Sequence, residues 1–170
     1  MSIPRVLFVC LLTGVLVGAG SLVAAQTKYG VTVRTVKTAE LAKAKTYVWT
    51  VGRPSFNKDV DALIIAAVDR QLSSRGFTKL ASGQGDVMVT YGTLTRTDVD
   101  LEAPKGGTAG TAPELAVGTL VINLTDPANR QQLFSVRMDR PIDWNPETYQ
   151  ATVDAAVAAI FEKYPVPSKR

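Results

Sequence analysis

The sequence predicts an α+β fold: a mainly antiparallel sheet with two helices packed on one of its faces, in a two-layer sandwich. The predicted elements follow the order β, β, α, then three or more strands, then α, which is not the strict alternation of a doubly wound fold. Short connections and a hairpin favour antiparallel pairing. Each helix has one apolar stripe and can therefore bury only one side against the sheet. Both helices are expected to cover the same sheet face.

Two short strands are predicted at the start of the folded part. β-branched residues dominate residues 31–36, and residues 45–51 form a second strand with Tyr47 and Trp49 on one face. Residues 38–44 between them favour helix but are too few to hold one alone. We therefore expect a turn or a single helical turn there.

The most regular pattern in the chain predicts a helix between Asn57 and Gly76. Its apolar residues recur with helical spacing, at Val60, Leu63, Ile64, Ala67, Val68 and Leu72. Asn57 is suited to cap the first turn, and Gly76 to end the helix in the left-handed conformation. Phe77 is then expected to pack back on Leu72, as in a Schellman motif.

A long strand and a long loop are predicted next. Odd-numbered residues form the more apolar face of residues 87–101, and Gly92 is expected to mark a bulge or a bend. Residues 102–116 are rich in glycine and proline and follow no period. A loop of this length in a compact domain is usually functional or mobile.

A hairpin and a second helix complete the pattern. Residues 120–124 and 134–138 alternate on either side of residues 126–129, whose composition is typical of a type I turn. Asn145 is then placed to cap a helix that begins with a proline and an acidic residue. The apolar residues of this helix keep the helical period as far as Tyr164.

Residues 1–25 predict a cleavable signal peptide. An apolar run over residues 6–17 is followed by glycines and then by small residues up to Ala25. Cleavage there would leave residues 26–170, which we predict to form a single α+β domain. Cys10 lies inside the apolar run, without the small residues that precede a lipoprotein cysteine, so we expect no lipid anchor and at most peripheral membrane contact. An uncleaved membrane anchor is the alternative, because the segment could just span a bilayer.

The composition excludes several kinds of chemistry. The chain has no histidine and one cysteine, so Ser-His-Asp and Cys-His catalysis and His-ligated zinc are excluded. Removal of the signal peptide would also remove the cysteine, and with it any disulfide or thiolate site. We expect no cofactor and no metal. The net charge of +4 is too small to indicate nucleic acid as a partner, and the predicted export argues against it as well.

Four segments, followed by a helix that ends in Tyr164-Pro165, form a more specific pattern. They are Ala-Lys-Thr-Tyr-Val-Trp at residues 44–49, the helix end at residues 67–77, Gly-Asp-Val-Met-Val-Thr-Tyr at residues 85–91, and Gly-Thr-Leu-Val-Ile-Asn-Leu-Thr-Asp-Pro at residues 118–127. In this order they resemble the bacterial envelope family called domain of unknown function 4136. The resemblance implies an exported α+β module, often a lipoprotein, with no established activity and no catalytic residues to transfer.

The sequence departs from that family in two places. Family members often begin with a lipid-modified cysteine, which is missing here, so we expect a periplasmic or secreted protein. The return strand of the hairpin usually carries a Trp-Arg-Gly-like stretch, where this chain has Leu133-Phe134-Ser135-Val136.

Three acidic residues are the candidate site residues. Asp98, Asp100 and Glu102 alternate along one strand face, with about 6–7 Å from one to the next, which overlaps the separation of an inverting carboxylate pair. Their oxygens could also collect a calcium ion. A solvated strand end opposite the apolar face explains the same acids without any function, and we favour that interpretation.

Three strand aromatics, Tyr47, Trp49 and Tyr91, allow two interpretations. Strand aromatics are usually buried, so we expect these three to pack beneath the helices as part of the core. The alternative is an apolar groove between sheet and helices for an acyl chain or a peptide.

These observations predict a non-catalytic, exported envelope protein that binds another envelope protein, an envelope polymer or a lipid, with the loop at residues 102–116 as the expected contact surface. The first alternative is a glycan or lipid hydrolase that uses Asp98 and Asp100. The second is a structural module that self-associates through a sheet edge. The sequence does not indicate the ligand or the oligomeric state.

Overall fold

The computed structural model describes residues 29–99 and 114–165. The predicted signal peptide, Asp100, Glu102 and most of the predicted long loop lie outside these residues. The strands are β1 (Gly30–Val36), β2 (Thr46–Trp49), β3 (Thr78–Lys79), β4 (Val87–Val99), β5 (Glu114–Thr125) and β6 (Gln132–Pro141). The helices are α1 (Thr38–Leu41), α2 (Lys58–Ser73) and α3 (Tyr149–Phe161), and a 3-10 turn (Pro146–Thr148) leads into α3.

The six strands form one mixed sheet in the order β1-β6-β5-β4-β2-β3. β1, β6, β5 and β4 pair antiparallel, whereas β2 pairs parallel with both β4 and β3. The parallel pairs arise because the chain crosses over between β2 and its neighbours, and α2 forms that crossover. The predicted α+β fold with a mainly antiparallel sheet is confirmed.

One apolar cluster joins α2 and α3 to a single face of the sheet. The central strands contribute alternate residues to it, among them Val87, Val89, Ile122, Leu124, Phe134 and Val136, and the helices contribute Ile64, Val68, Leu72, Val153, Val157 and Ile160. Phe134 stacks on Phe161 with their ring centroids 5.7 Å apart. Both helices therefore bury their stripes against the same face, as the single stripe on each predicts.

The strand aromatics belong to this core, and α2 satisfies their polar groups. Tyr47 is fully buried, and its hydroxyl donates to Asp69 at 2.6 Å, beside the indole of Trp49, which donates to the same carboxylate at 2.8 Å. The hydroxyl of Tyr91 donates to Asp61 at 2.7 Å. Burial raises the pKa values of Tyr47 and Tyr91 well above the usual range of tyrosine, and the carboxylates that accept from their hydroxyls add to the shift. The core interpretation of the three aromatics is confirmed.

Both ends of α2 form as the local sequence predicts. The side chain of Asn57 accepts a hydrogen bond from the backbone N–H of Asp59 at 2.9 Å. Gly76 has φ +82°, and the backbone N–H of Phe77 donates to the carbonyl of Leu72 at 3.1 Å, which is the six-residue bond of a Schellman motif.

Two predicted boundaries were wrong. β2 ends at Trp49, and Val51, which was predicted to continue it, is 97% exposed. β5 begins at Glu114, which pairs with Val99, so residues 114–116 are strand and not loop. The second error follows from the length of β4. Because β4 continues to Val99, its antiparallel partner β5 pairs with it from Glu114 onward.

Gly92 does not mark the bulge that was one of its two expected roles. The β4–β5 register passes through Gly92 without a shift. Beyond it, however, the odd-numbered Thr95 and Thr97 are exposed, whereas the even-numbered Arg96 and Asp98 are partly buried. The exposure pattern therefore reverses, because Arg96 forms ion pairs with Asp98 and Asp139 on the sheet face opposite the helices.

Candidate functional site

A groove of about 840 Å³ opens between the sheet and the helices. It lies where β6 ends and where α2 and α3 begin. Most of its wall is apolar, with Val60, Ile64, Leu94, Leu120, Met138, Ile142, Val153 and Ala156 among its lining residues. A volume between about 300 and 1,000 Å³ with few polar groups is typical of small-molecule sites. The groove is the strongest candidate site in the described part of the chain.

An exposed aromatic residue precedes the cap of each helix and lines the groove. Phe56 comes directly before Asn57, the cap residue of α2, and Trp144 comes directly before Asn145, the cap residue of the 3-10 turn that leads into α3. A residue at this position often packs against the fourth helical residue. In α2 that residue is Asp61, which already binds Tyr91, so Phe56 has no apolar partner there and is fully exposed. Trp144 is 64% exposed.

Two guanidinium groups and one carboxylate also line the groove, on Arg53, Arg140 and Asp143. The carboxylate of Asp143 accepts from the backbone N–H of Asn145 at 3.0 Å and from the hydroxyl of Thr148 at 2.8 Å. These two hydrogen bonds hold its pKa below the usual range. Asp143 is therefore an ionised part of the turn before α3.

Arg53 is positioned by its backbone. Its N–H donates to the carbonyl of Tyr91 at 2.9 Å, and its carbonyl accepts from the N–H of Thr93 at 3.0 Å. These bonds form an isolated parallel bridge between Arg53 and Gly92. In residues 29–99 and 114–165 no carboxylate forms an ion pair with Arg53. The groove thus combines apolar walls with the guanidinium of Arg53, which is available to an anionic group, and that of Arg140, which donates to the carbonyl of Thr152 at 3.5 Å.

The predicted carboxylate site lies elsewhere. Asp98 is on the opposite face of the sheet, where it accepts from the hydroxyl of Tyr29 at 3.2 Å and lies 3.9 Å from the guanidinium of Arg96. Asp100 and Glu102 lie outside the described residues. The proximity of the three acids, for catalysis or for calcium, therefore stays a prediction.

A buried carboxylate, Asp139, organises the open face near Asp98. It accepts from Arg137 Nε at 2.6 Å, from Arg96 Nη1 at 2.8 Å and from the hydroxyl of Thr119. Burial opposes ionisation of Asp139, but these donors outweigh it and lower the pKa to about 2. The cluster is a structural network that joins β4, β5 and β6.

Asp139 is expected to make stability depend on pH in the acid range. Its folded pKa lies below the unfolded value of about 3.9, so its contribution of about 2 kcal/mol is present above about pH 4 and is lost as the pH falls toward 2. Urea unfolding of wild type and Asp139→Asn, from neutral pH down to about pH 2, measures the difference between their free energies of unfolding. That difference should be largest near neutral pH and shrink below pH 4; parallel curves would contradict the assignment.

The sequence contains a signal for the groove that periodicity does not detect. The groove is lined by none of the three strand aromatics Tyr47, Trp49 and Tyr91. The aromatics that do line it belong to a repeated pattern of aromatic, asparagine, any residue and acid: Phe-Asn-Lys-Asp at residues 56–59 and Trp-Asn-Pro-Glu at residues 144–147. One such pattern precedes each helix. Because α2 and α3 begin at the same end of the molecule, both aromatics lie at that end.

A comparison with protein families decides the identity of the domain. The model described as Domain of unknown function (DUF4136) matches residues 31–166. The chain belongs to this family. The match covers the whole sheet from Val31 onward and both long helices, in agreement with the resemblance seen in the sequence. No curated protein matches this DUF4136 chain.

Solved structures share the fold of the DUF4136 chain at low identity. The PelC dodecamer from Paraburkholderia phytofirmans is 15% identical, with a TM-score of 0.51, over 80% of this chain and 99% of that one. A PDZ domain protein from Parabacteroides distasonis is 10% identical, with a TM-score of 0.52, over 83% of this chain but 37% of that one. Lipoprotein GNA1162 from Neisseria meningitidis is 12% identical, with a TM-score of 0.41, over 70% and 99%. The first two likenesses show the fold alone.

The described helices of the DUF4136 chain are all too short or too polar to span a bilayer. The groove between sheet and helices is a feature of its surface, bounded by the two connections that lead into α2 and α3. Arg53 on one connection and Trp144 on the other both line it.

Proposed function

We propose that this DUF4136 protein is a non-catalytic, exported envelope protein that binds an anionic amphiphile with one acyl chain, such as a fatty acid, in the groove. The observation that carries this proposal is the apolar groove of about 840 Å³ with the available guanidinium of Arg53. Export is supported by the predicted signal peptide. Among the three predicted partner classes, a lipid fits the groove best, because its walls offer few hydrogen-bonding groups for a polymer or a peptide.

The apolar walls provide most of the expected affinity. Each methylene group removed from water contributes about 0.8 kcal/mol. About ten buried methylenes would contribute about 8 kcal/mol before the cost of ordering the chain. About 8 kcal/mol corresponds to a dissociation constant of about 1 μM. The ordering cost weakens binding, so we expect a dissociation constant above that value.

The charge at Arg53 provides the selectivity. A carboxylate that accepts from a guanidinium forms a charge-assisted hydrogen bond, which contributes about 1.5–3 kcal/mol. A fatty alcohol of the same length offers the same apolar contacts but no charge. The groove should therefore bind palmitate more tightly than cetyl alcohol.

Fluorescence of Trp144 offers a direct test. Of the two tryptophans, Trp49 is bound to Asp69 beneath α2, whereas Trp144 lines the groove, so palmitate should shift the emission of Trp144 to shorter wavelength with saturation. Arg53→Ala should reduce the preference for palmitate over cetyl alcohol about tenfold. Arg34→Ala, which removes an exposed arginine of β1 outside the groove, is the matched control and should keep the preference. Absence of saturable palmitate binding would reject the proposal.

The two alternatives from the sequence do not enter the proposed function. Hydrolysis through Asp98 and Asp100 stays a prediction because the partner acid is not described. Self-association through the β1 edge is disfavoured by the register shift between Val33 and Thr35 and by the exposed charge of Arg34, since bulges and charges are common protections of an edge strand. The absence of a lipid anchor also stays a prediction, because Cys10 is outside the described residues.

A further inference from the structure

We propose that the groove end of the molecule docks onto a lipid bilayer by inserting Val51, Phe56 and Trp144, which we call the apolar tip. This inference rests on the proposed function and names the membrane as the source of the acyl chain. The tip lies on the two connections that lead into α2 and α3, and two of its three residues line the groove. A chain that leaves the bilayer at the tip would enter the groove without crossing open water.

Exposure is the first observation. Val51 is 97% exposed, Phe56 is fully exposed and Trp144 is 64% exposed. Phe56 and Trp144 line the same groove, and Val51 lies on the connection that carries Phe56. Exposed apolar residues that lie close together mark interaction sites. Aromatic residues such as tryptophan are also enriched at the boundary between water and lipid.

The position of the N-terminal segment is the second observation. β1 begins at Gly30, which pairs with Asp139, and β6 ends two residues later, at Pro141, just before the connection that carries Trp144. The predicted apolar segment ends at Ala25, four residues before Tyr29. Four extended residues span about 14 Å. As long as the segment is uncleaved and in the membrane, the groove end of the domain is held close to the membrane surface.

Charge distinguishes a bilayer from an acidic partner. The basic residues at the end of β6, on the two connections and in the first turn of α2 are Arg140, Arg53 and Lys58, and the acidic residues there are Asp59, Asp61, Asp143 and Glu147. The charges nearly cancel, so electrostatic attraction to an anionic surface is weak. Apolar insertion should therefore dominate, with binding to zwitterionic vesicles and little dependence on salt.

Quenching by brominated lipid tests the insertion. Full-length chain is produced with its N-terminal segment and purified as the host processes it, and phosphatidylcholine vesicles brominated on their acyl chains are added. Emission of Trp144 should be quenched, and Trp144→Phe should lose the quenching. Quenching should persist at high salt. Unquenched emission, or quenching that needs anionic lipid and low salt, would overturn the proposal.

A matched pair of variants separates docking from ligand binding. Val51→Asp should weaken vesicle binding about tenfold, because it places a charge at the tip. Val33→Asp changes an equally apolar, 48% exposed residue of β1 and should bind as wild type. Palmitate in solution should bind Val51→Asp as tightly as wild type, because Val51 does not line the groove.

The outcomes of the two proposals are distinguishable. Equal vesicle binding by Val51→Asp and wild type would reject the tip even if palmitate binds. Quenching of Trp144 without saturable palmitate binding would reject the groove as a ligand site and leave the docking surface standing. Thermal unfolding of each variant confirms that the comparison is made between folded proteins.

Discussion

Replacement of Thr93 by tryptophan is expected to weaken palmitate binding about a hundredfold, which corresponds to about 3 kcal/mol of lost affinity. Thr93 lines the groove from β4, where it pairs with Leu120 on the sheet face that carries the helices. An indole there occupies space otherwise available to about four methylene groups of the ligand, each contributing about 0.8 kcal/mol. Tryptophan is well tolerated in strands, so the sheet should be preserved.

The strand provides its own control for this substitution. Thr97 is the same residue type, at the same parity of β4, but it is exposed and does not line the groove. Thr97→Trp should bind palmitate as wild type does. Calorimetric titration is the suitable measurement, because the added tryptophan would complicate fluorescence. Similar affinities for Thr93→Trp and Thr97→Trp would place the ligand outside the groove.

Substitution of Gly52 by alanine is expected to destabilise the protein by about 3 kcal/mol. A Cβ atom at Gly52 would lie 2.1 Å from the carbonyl oxygen of Tyr91, which is backbone and cannot rotate away. The same carbonyl accepts from the N–H of Arg53 at 2.9 Å. The connection would therefore have to move away from β4, and the hydrogen bonds that position Arg53 would be lost.

Gly92, on the other side of the same bridge, is the matched control. A Cβ atom there would meet only the Cβ of Arg53, at 3.7 Å, an ordinary contact. Gly92→Ala should therefore change the free energy of unfolding by less than about 0.5 kcal/mol. Urea unfolding of both variants measures the contrast. A Gly52→Ala protein as stable as Gly92→Ala would show that the connection is not held against β4.

The features that sequence analysis predicted correctly are those that depend on residues close together in the sequence. Asn57 caps α2 through a residue two positions away, and Gly76 ends it through bonds that stay within the last turn. The alternation that buries Val87 and Val89 likewise depends only on the pleat of one strand. Such patterns are visible in a short window of sequence.

The groove could not be predicted in this way, because distant residues form it. Arg53 reaches the site through a bridge to Gly92, and that bridge follows from the parallel crossover of α2. The pairing of Tyr47 with Asp69 has the same origin, since a strand residue and a helix residue meet only after the crossover has formed. Periodicity indicates that Tyr47 is buried but gives no information about which carboxylate accepts from its hydroxyl.

The connection that carries Phe56 is hydrogen-bonded both to β4 and to α2 in the absence of any ligand. Arg53 is bonded to β4, and the backbone N–H of Ser55 donates to Asp61 at 2.6 Å, on the same carboxylate oxygen that binds Tyr91. The loss of backbone freedom in this segment therefore accompanies folding and not ligand capture. An incoming acyl chain loses its own entropy but need not order the wall it contacts, which favours rapid association with a preorganised surface.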